Sequence, residues 1–363
     1  MAAAQEIRVA TRKGLFTVRR SGSGWRIGAP RFPGEPVTQF VRDAATGDCY
    51  AALRLGHFGV KLWKSARGDG DWKEVAAPAF PPKPAEGEWK DDATPWTVDM
   101  VWGLEAANGT LWAGCLPAGL FKSVDGAASW QLVESLWLRP ERKEWLGGGY
   151  DLAGIHSILV DPRDADHVTV AISCGGVWQT RDGGRTWANT SRGMVADFMP
   201  PERREDPNIQ DVHRMDQCRA HPDVLWAQNH FGIYRSADGG MQWARVAAPQ
   251  PSDFGFPVVA HPADPATAWF VPAHSDAQRV PVDGRMVVTQ TRDAGASFTT
   301  YGDGLPQRDS YHLVYRHGLA ASDDAATLAM GSTTGGLWVS DDSGATWQCV
   351  SRDLPPIAAI RMG

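Results

Sequence analysis

The chain has 363 residues, of which 42 are acidic and 36 are basic, so its formal net charge at pH 7 is −6. This balance, with no basic stripe along the chain, argues against nucleic-acid binding, which usually requires a basic face. The five cysteines, at positions 49, 115, 174, 218 and 349, are scattered, which favours reduced thiols in a cytoplasmic protein over a disulfide framework.

The N-terminal segment MAAAQEIRVATRKG lacks the apolar core of a signal peptide. No stretch of the chain reaches the roughly eighteen apolar residues that a membrane-spanning helix needs. We therefore expect neither a signal peptide nor a membrane span.

Apolar runs of strand length recur along the chain, and each group of runs ends at a turn closed by an aromatic residue. The closing aromatics are Trp25, Trp72, Trp130, Trp187, Trp243, Phe298 and Trp347. A repeat of about 50 residues suits one four-stranded antiparallel blade, so seven closing aromatics predict an all-β, seven-bladed β-propeller. We expect a single domain over residues 1–363, with blades at 7–30 plus 355–363, 37–77, 97–134, 154–190, 212–248, 254–300 and 310–352.

The two ends of the chain are predicted to meet in one blade. IAAIRM (Ile357 to Met362) has no blade of its own and fits as the missing first strand of blade one. Pairing of the N- and C-terminal strands would close the ring and leave no open sheet edge. In blade seven, YHLVYRHG (Tyr311 to Gly318) is the expected first strand.

A short motif precedes five of the closing aromatics. It reads TRDGGRTW from Thr180 to Trp187, and its other copies are SVDGAASW, SADGGMQW, TRDAGASF and SDDSGATW. The motif suits a hairpin turn, because the Asp can accept backbone N–H bonds and Gly allows a positive φ. We therefore predict a structural role for its acidic residues, Asp125, Asp182, Asp238, Asp293 and Asp342.

This motif resembles the Asp-box, or BNR repeat, of the sialidase-like β-propellers. Five clear copies cover the chain from about Thr110 onward, and two degenerate copies fit the rest. The resemblance implies the propeller fold but no single activity, because Asp-boxes occur in sialidases, other glycosidases, sorting receptors and assembly factors. The catalytic set of a sialidase does not carry over: the Arg-Ile-Pro motif is absent, with Arg361 its nearest equivalent, and Tyr311 has no identifiable Glu partner.

Three long connections between blades carry aromatic and charged residues. They run over residues 73–97, 131–154 and 188–212, and the first contains Trp96. Loops of this length are usually functional or disordered, and their aromatic content argues against disorder. In a propeller such connections lie on the face away from the Asp-box turns, so we expect them to wall a pocket there.

Most of the histidines are predicted to lie near that same face. The positions where a strand A is entered are Asp99, His156, Asp216, Phe256 and His312, with Tyr311 beside the last. We expect His156, His312, Asp99, Asp216 and Tyr311 to be catalytic, and His156, His312 and Asp216 to be ligands of a divalent metal ion. Ligand-binding candidates are Trp96 together with His57, His213, Arg214, His230, His274 and Arg279.

A structural role is the alternative for several of these residues. His57 and His230 would then be tight-turn residues, and His156 and His312 would be satisfied polar groups around a wet channel. Three functions remain open: a glycosidase-like hydrolase or lyase acting on a sugar or polar metabolite, with or without a metal; a non-catalytic glycan- or peptide-binding propeller; and a scaffold or assembly factor that grips a protein partner. The expected partner is thus a small molecule, a glycan or a protein, and neither nucleic acid nor membrane.

Overall fold

The computed structural model of the protein describes residues 5–68 and 70–363, and nearly all of its regular structure is β-sheet. Its strands form seven antiparallel sheets of four strands each, which confirms the predicted seven-bladed β-propeller. The chain divides into two compact units. The first contains Met1–Val37, Arg192–Glu205 and Val212–Gly363, and the second contains Thr38–Ser191 and Asp206–Asp211.

Four blades belong to the first unit. In the order of strands A to D across each sheet, they are blade one (Ile357–Met362, Glu6–Thr11, Gly14–Ser21, Gly24–Ile27), blade five (Val212–Gln217, Leu225–Asn229, Gly232–Ser236, Ala244–Arg245), blade six (Gly255–Ala260, Ala268–Pro272, Val288–Thr291, Thr299–Tyr301) and blade seven (Leu319–Ala321, Leu328–Gly331, Leu337–Ser340, Gln348–Ser351).

The other three blades belong to the second unit, apart from Val37, the first residue of strand A of blade two, which belongs to the first unit. They are blade two (Val37–Arg42, Asp48–Arg54, Val60–Ala66, Lys73–Val75), blade three (Met100–Ala107, Thr110–Leu116, Leu120–Ser123, Gln131–Leu132) and blade four (Ile155–Asp161, Asp164–Ile172, Gly176–Thr180, Ala188–Asn189). In the described ranges, one α-helical turn, Glu134–Trp137, and five 3₁₀ turns lie in connections. The 3₁₀ turns are Gly56–Phe58, Pro140–Glu144, Pro201–Arg203, Pro207–Ile209 and Val282–Gly284.

The hydrophobic core lies between neighbouring blades within each unit. In the second unit, for example, Trp112 of blade three and Trp178 of blade four are buried in one apolar cluster. In the first unit, Trp269 of blade six and Trp338 of blade seven share another. These strands are apolar on both faces because a blade packs against a neighbour on each side.

The pairing of the two chain ends is confirmed. Ile357–Met362 runs antiparallel to Glu6–Thr11 and completes blade one. Ile357 and Ile360 are buried with Ile7 and Val9 of the neighbouring strand. The C-terminal segment is therefore a core strand of the first unit.

The prediction for strand A of blade seven was wrong. Tyr311 to Gly318 forms no ladder strand, and the strand is instead Leu319–Ala321. The amide of Gly318 donates to the carbonyl of Tyr315, so the backbone turns just before the strand begins. Leu313 and Val314 are buried without ladder pairing, which explains the strand-like apolar pattern of this segment.

The five repeated turns share one hydrogen-bond pattern. In blade four the hydroxyl of Thr180 donates to Asp182 and accepts from the amide of Gly184, and Asp182 accepts from the amide and hydroxyl of Thr186. Equivalent bonds join Ser/Thr, Asp and backbone in the other four turns. Each carboxylate is thus held within its own turn. In blade two the turn Ala66 to Trp72 contains Asp69, which lies outside the described residues, as do Met1 to Ala4 of the N-terminal segment.

Two further expectations concern the whole chain. Among the described residues, no helix is long and apolar enough to cross a membrane. The five cysteines, all described, are free thiols.

Candidate functional site

Among the described ladders, a β-bulge recurs at the beginning of strand A in five blades. The A–B ladder skips one residue at Trp102, His156 and His213 in blades three, four and five, and at Ala358 in blade one. In blade six it skips Phe256 with its neighbour. A bulge re-aims a side chain and is frequent beside functional sites. These positions are therefore the equivalent ones, and they coincide with the positions aligned from the sequence only at His156 and Phe256.

Four rings meet around the bulge of blade five, and we call them the His213 cluster: His213, His230, Phe254 and Phe256. The ring of His213 stacks on Phe256, with centroids 4.6 Å apart and planes 16° apart. It meets His230 and Phe254 edge to face, at 5.3 and 5.6 Å. Since three of the four rings are buried and His230 is half-buried, the cluster is accessible on the His230 side.

The tautomer of His213 is determined by one hydrogen bond. Its Nδ1 lies 2.6 Å from the carbonyl oxygen of Gly255. A carbonyl oxygen only accepts, so Nδ1 carries the proton and Nε2 has the basic lone pair whenever the ring is neutral. The same arrangement orients histidines that act as bases or metal ligands.

Two arginines lie over the ring of Phe256. The guanidinium carbons of Arg279 and Arg316 are 5.7 and 5.5 Å from its centroid. Arg279 is paired with Asp276 and also bonds Tyr315, whose ring contacts Phe256 at 5.0 Å. Burial opposes the charge of Arg279, but the hydrogen bonds and charges of Asp276 and Tyr315 together outweigh it and raise the pKa of Arg279.

Half-buried and exposed aromatic rings border the cluster on its open side. Phe231 contacts His230 with centroids 4.6 Å apart, and Phe198 contacts Phe231 at 5.6 Å. Phe198 is 47% exposed and Tyr315 is 37% exposed. The first unit therefore presents apolar ring faces to solvent next to imidazole, guanidinium and carboxylate groups.

The sequence motif His-Phe-Gly occurs twice, and one of its two copies belongs to an aromatic cluster. In blade two, His57 and Phe58 lie in the 3₁₀ turn Gly56–Phe58, both exposed, and contact each other at 3.8 Å. In blade five, His230 belongs to the His213 cluster and Phe231 contacts it. Nearly identical local sequences thus have different surroundings, and only the copy in blade five has neighbours suited to hold a ligand.

His156 occupies the equivalent bulge in the second unit. It is fully buried, and its ring meets Trp102 edge to face at 5.3 Å. Trp102 in turn contacts Tyr150 of the connection that precedes the strand, at 5.1 Å. Nδ1 of His156 lies 3.0 Å from the Ser157 hydroxyl. Burial on this scale makes His156 a packing residue of blade four.

The two carboxylates expected to be catalytic are already engaged. Asp99 precedes its strand and forms a two-point ion pair with Arg54, in which both side chains are about half exposed. Asp216 lies near the end of its strand and accepts from the amides of Ala260 and Gln217, both at 2.9 Å. Burial raises the pKa of Asp216, although the charge of nearby Arg214 acts against this.

His312 and Tyr311 lie in the irregular segment before strand A of blade seven. Nδ1 of His312 is 3.1 Å from the Ser332 hydroxyl and 2.5 Å from that of Thr334. Burial, reinforced by the charge of Arg352, lowers the pKa of His312. Tyr311 is 71% exposed. Among the described residues, none of His156, His312 and Asp216 belongs to a group of three potential metal ligands.

The remaining candidates lie in connections. His274 is exposed and contacts the Ser275 hydroxyl at 3.3 Å, in the insertion of blade six that also holds Asp276 and Arg279. Trp96 donates from its indole N–H to Asp92 and contacts Trp137 edge to face. Trp96 is therefore part of the packing between the two long connections of the second unit.

That packing is organised by one buried ion pair. Arg142 of the second connection is bonded to Asp92 of the first, with side chains only 3% and 6% exposed. The guanidinium lies between the rings of Trp89 and Trp137, 4.4 and 3.8 Å from their centroids. These two long connections are thus packed against each other.

Sequence reasoning did not anticipate four residues of this region: Phe254, Phe198, Tyr315 and Arg316. His213, His230 and Arg279 were among the ligand-binding candidates. The sequence motif DFGF, which leads into strand A of blade six, could have indicated an aromatic cluster. The bulge positions could not be found in this way, because they are defined by the pairing with the neighbouring strand.

Comparison with known proteins identifies the fold and nothing finer. No family model matches the chain, and no curated protein is similar to it. Three solved structures show the similarity: an ancestral GH74 enzyme (14% identity, 96% of this chain and 40% of that chain, TM-score 0.58), YCF48 bound to D1 peptide (12%, 96% and 84%, 0.54) and a putative 6-phosphogluconolactonase from Bacteroides uniformis (10%, all of both chains, 0.61). This chain thus spans 40% of the length of the GH74 chain. At such identities the likeness defines the protein as a β-propeller.

Proposed function

We propose that this protein is an Asp-box, or BNR-repeat, β-propeller that binds a carbohydrate or a similar polar ring at the His213 cluster. The proposal rests on the residues that border the cluster. Phe198, Phe231 and Tyr315 are rings with exposed area, and they lie beside His230 and the Arg279–Asp276 pair.

Such a border matches the two needs of a sugar ligand. Aromatic faces bury the C–H side of a pyranose, and a few placed polar groups determine its orientation. Arg279 supplies donors and Asp276 supplies acceptors three residues apart, which suits neighbouring hydroxyl groups. His230 adds a half-buried imidazole to the cluster.

Saturation-transfer NMR with a panel of neutral and acidic mono- and oligosaccharides tests the binding. We expect transfer to at least one sugar, and a loss of about 1–3 kcal/mol in binding on Phe231→Ala or Tyr315→Ala, the usual contribution of a buried apolar ring contact. Phe58→Ala, in the exposed His-Phe-Gly copy of blade two, is the matched control and should bind like the wild type. Binding that is indifferent to Phe231 and Tyr315 would place the ligand elsewhere, and no binding to any sugar would refute the proposal.

Hydrolysis of the bound ligand is the second candidate, and the bond from His213 Nδ1–H to Gly255 favours it. This bond presents Nε2 as a base next to the aromatic border. A retaining or inverting glycosidase also needs two carboxyl groups, and Asp216, one of the two expected, is bonded to two backbone amides. Release of product from the sugars that bind, measured for the wild type and His213→Gln, separates the two functions: turnover lost in the variant indicates an enzyme, and binding without turnover indicates a binding protein.

A further inference from the structure

We infer that His213 and His230 hold a divalent transition-metal ion such as Zn²⁺. A ring nitrogen of each lies within 4.8 Å of one of the other. Zn–N bonds are about 2.0–2.1 Å long, so two nitrogens on one ion are at most about 4 Å apart. The two nitrogens therefore lie close to the spacing that one ion requires.

The hydrogen bonding of His213 matches that of a metal ligand. Metal-bound histidines generally donate their second N–H to a carbonyl or carboxylate, which orients the ring and raises its basicity. Nδ1–H of His213 donates to Gly255, so Nε2 is the ring nitrogen whose lone pair can bind a metal. The ring is also held by stacking on Phe256, and the side chain is only 2% exposed.

The ligand atoms of this site favour a transition-metal ion over Mg²⁺ or Ca²⁺. Imidazole nitrogen suits Zn²⁺, Cu²⁺ and Ni²⁺, whereas Mg²⁺ and Ca²⁺ require several oxygen ligands. Phe254 contacts both imidazoles, and Phe256 stacks on that of His213, so the two rings have apolar neighbours. His230 is half-buried, so an ion can enter from solvent on its side.

A bound ion would add a function to the proposed sugar site. With two protein nitrogens, the ion keeps open positions for water or for ligand oxygen atoms. The metal inference uses the same cluster as the proposed function, but its test contains no sugar, so the two can fail separately.

Cobalt titration of the chelator-treated, desalted full-length protein is the test. We expect one equivalent of Co²⁺ to bind with visible absorption bands of nitrogen coordination, and Zn²⁺ to displace it. His230→Phe keeps an aromatic ring against Phe231 and Phe254 but removes the nitrogen. It should weaken binding by more than about 100-fold, which exceeds the loss typical when a residue that only orients a metal ligand is changed. His221→Ala, at an exposed turn of blade five, is the control and should bind cobalt like the wild type.

A second measurement does not depend on a variant. In a ¹⁵N spectrum of the histidine side chains of the wild type, Zn²⁺ should shift Nε2 of His213 while its Nδ1 remains protonated. The inference is overturned if the wild type binds neither Co²⁺ nor Zn²⁺, or if His230→Phe binds them as tightly as the wild type.

Discussion

Truncation of Ile360 to alanine should substantially weaken the first unit. The side chain is 2% exposed and lies in an apolar cluster with Ile7, Val9 and Leu337. Its Cδ1 is so close to Gly331 that a Cβ there would come within 2.9 Å of it. The strand is therefore packed without spare volume.

The expected magnitude follows from that packing. Removal of a buried Ile side chain to Ala typically costs about 2–5 kcal/mol in the free energy of unfolding, and more where the site cannot collapse. Ladder pairing to Glu6–Thr11 holds the backbone in place, so the cavity should persist and the cost should be about 3 kcal/mol or more. This corresponds to a loss of about 100-fold in the ratio of folded to unfolded protein.

Urea unfolding followed by tryptophan fluorescence measures this change. Met362→Ala, in the same strand but half-buried, is the control and should cost less than about half as much. Ile360→Val should fall between about 0.5 and 1.5 kcal/mol. A cost below about 1 kcal/mol for Ile360→Ala, or one equal to that of Met362→Ala, would refute the role assigned to the C-terminal strand.

Three other predictions concern the rest of the chain. Arg142→Ala leaves the buried charge of Asp92 without its cation and should lower the free energy of unfolding, measured in urea, by about 3–5 kcal/mol. Lys143→Ala breaks an exposed ion pair and should lower it by less than about 1 kcal/mol, so equal losses would contradict the buried pair. Side-chain and backbone hydrogen bonds from Ser129 lower the pKa of Asp125 to about 2. The carboxylate therefore contributes its full stability above its unfolded pKa of about 4, and this contribution is lost as the pH falls through about 2. Asp125→Asn should flatten the plot of Tm against pH in that window, and an unchanged slope would contradict the prediction. If residues 1–363 form a single domain, as we propose, calorimetry of the wild type should show one unfolding transition, and two separate transitions would count against it.

Much of the fold could be predicted because its determinants are local. The turn from Thr180 to Trp187 closes through hydrogen bonds among its own side chains and backbone, so its residues alone indicate a hairpin. The aromatics at the end of these turns come at or just before a strand D, which is why they count the blades correctly. The tail IAAIRM could be placed because an apolar strand without a blade fits only the blade that lacks one.

The candidate site was predicted in part, because residue type is visible in the sequence but register is not. His213 and His230 could be selected as polar residues near the start of a strand and in a turn. Asp216 was aligned with His156, whereas the ladder makes His213 the equivalent of His156, three residues earlier. One extra residue in a bulge moves every later side chain to the other face of the strand, and no single-strand pattern reveals it.

The tertiary structure decided which polar residues are engaged and which border an accessible site. Arg54 forms an ion pair with Asp99, and the amides of Ala260 and Gln217 donate hydrogen bonds to Asp216. These contacts join residues up to 45 positions apart. The two His-Phe-Gly phrases are equivalent as sequences, yet only His230 meets Phe254 and His213, which come from other segments. The sequence by itself thus determined the blade and its turns, since those depend on near neighbours, and the three-dimensional packing of distant segments determined the site.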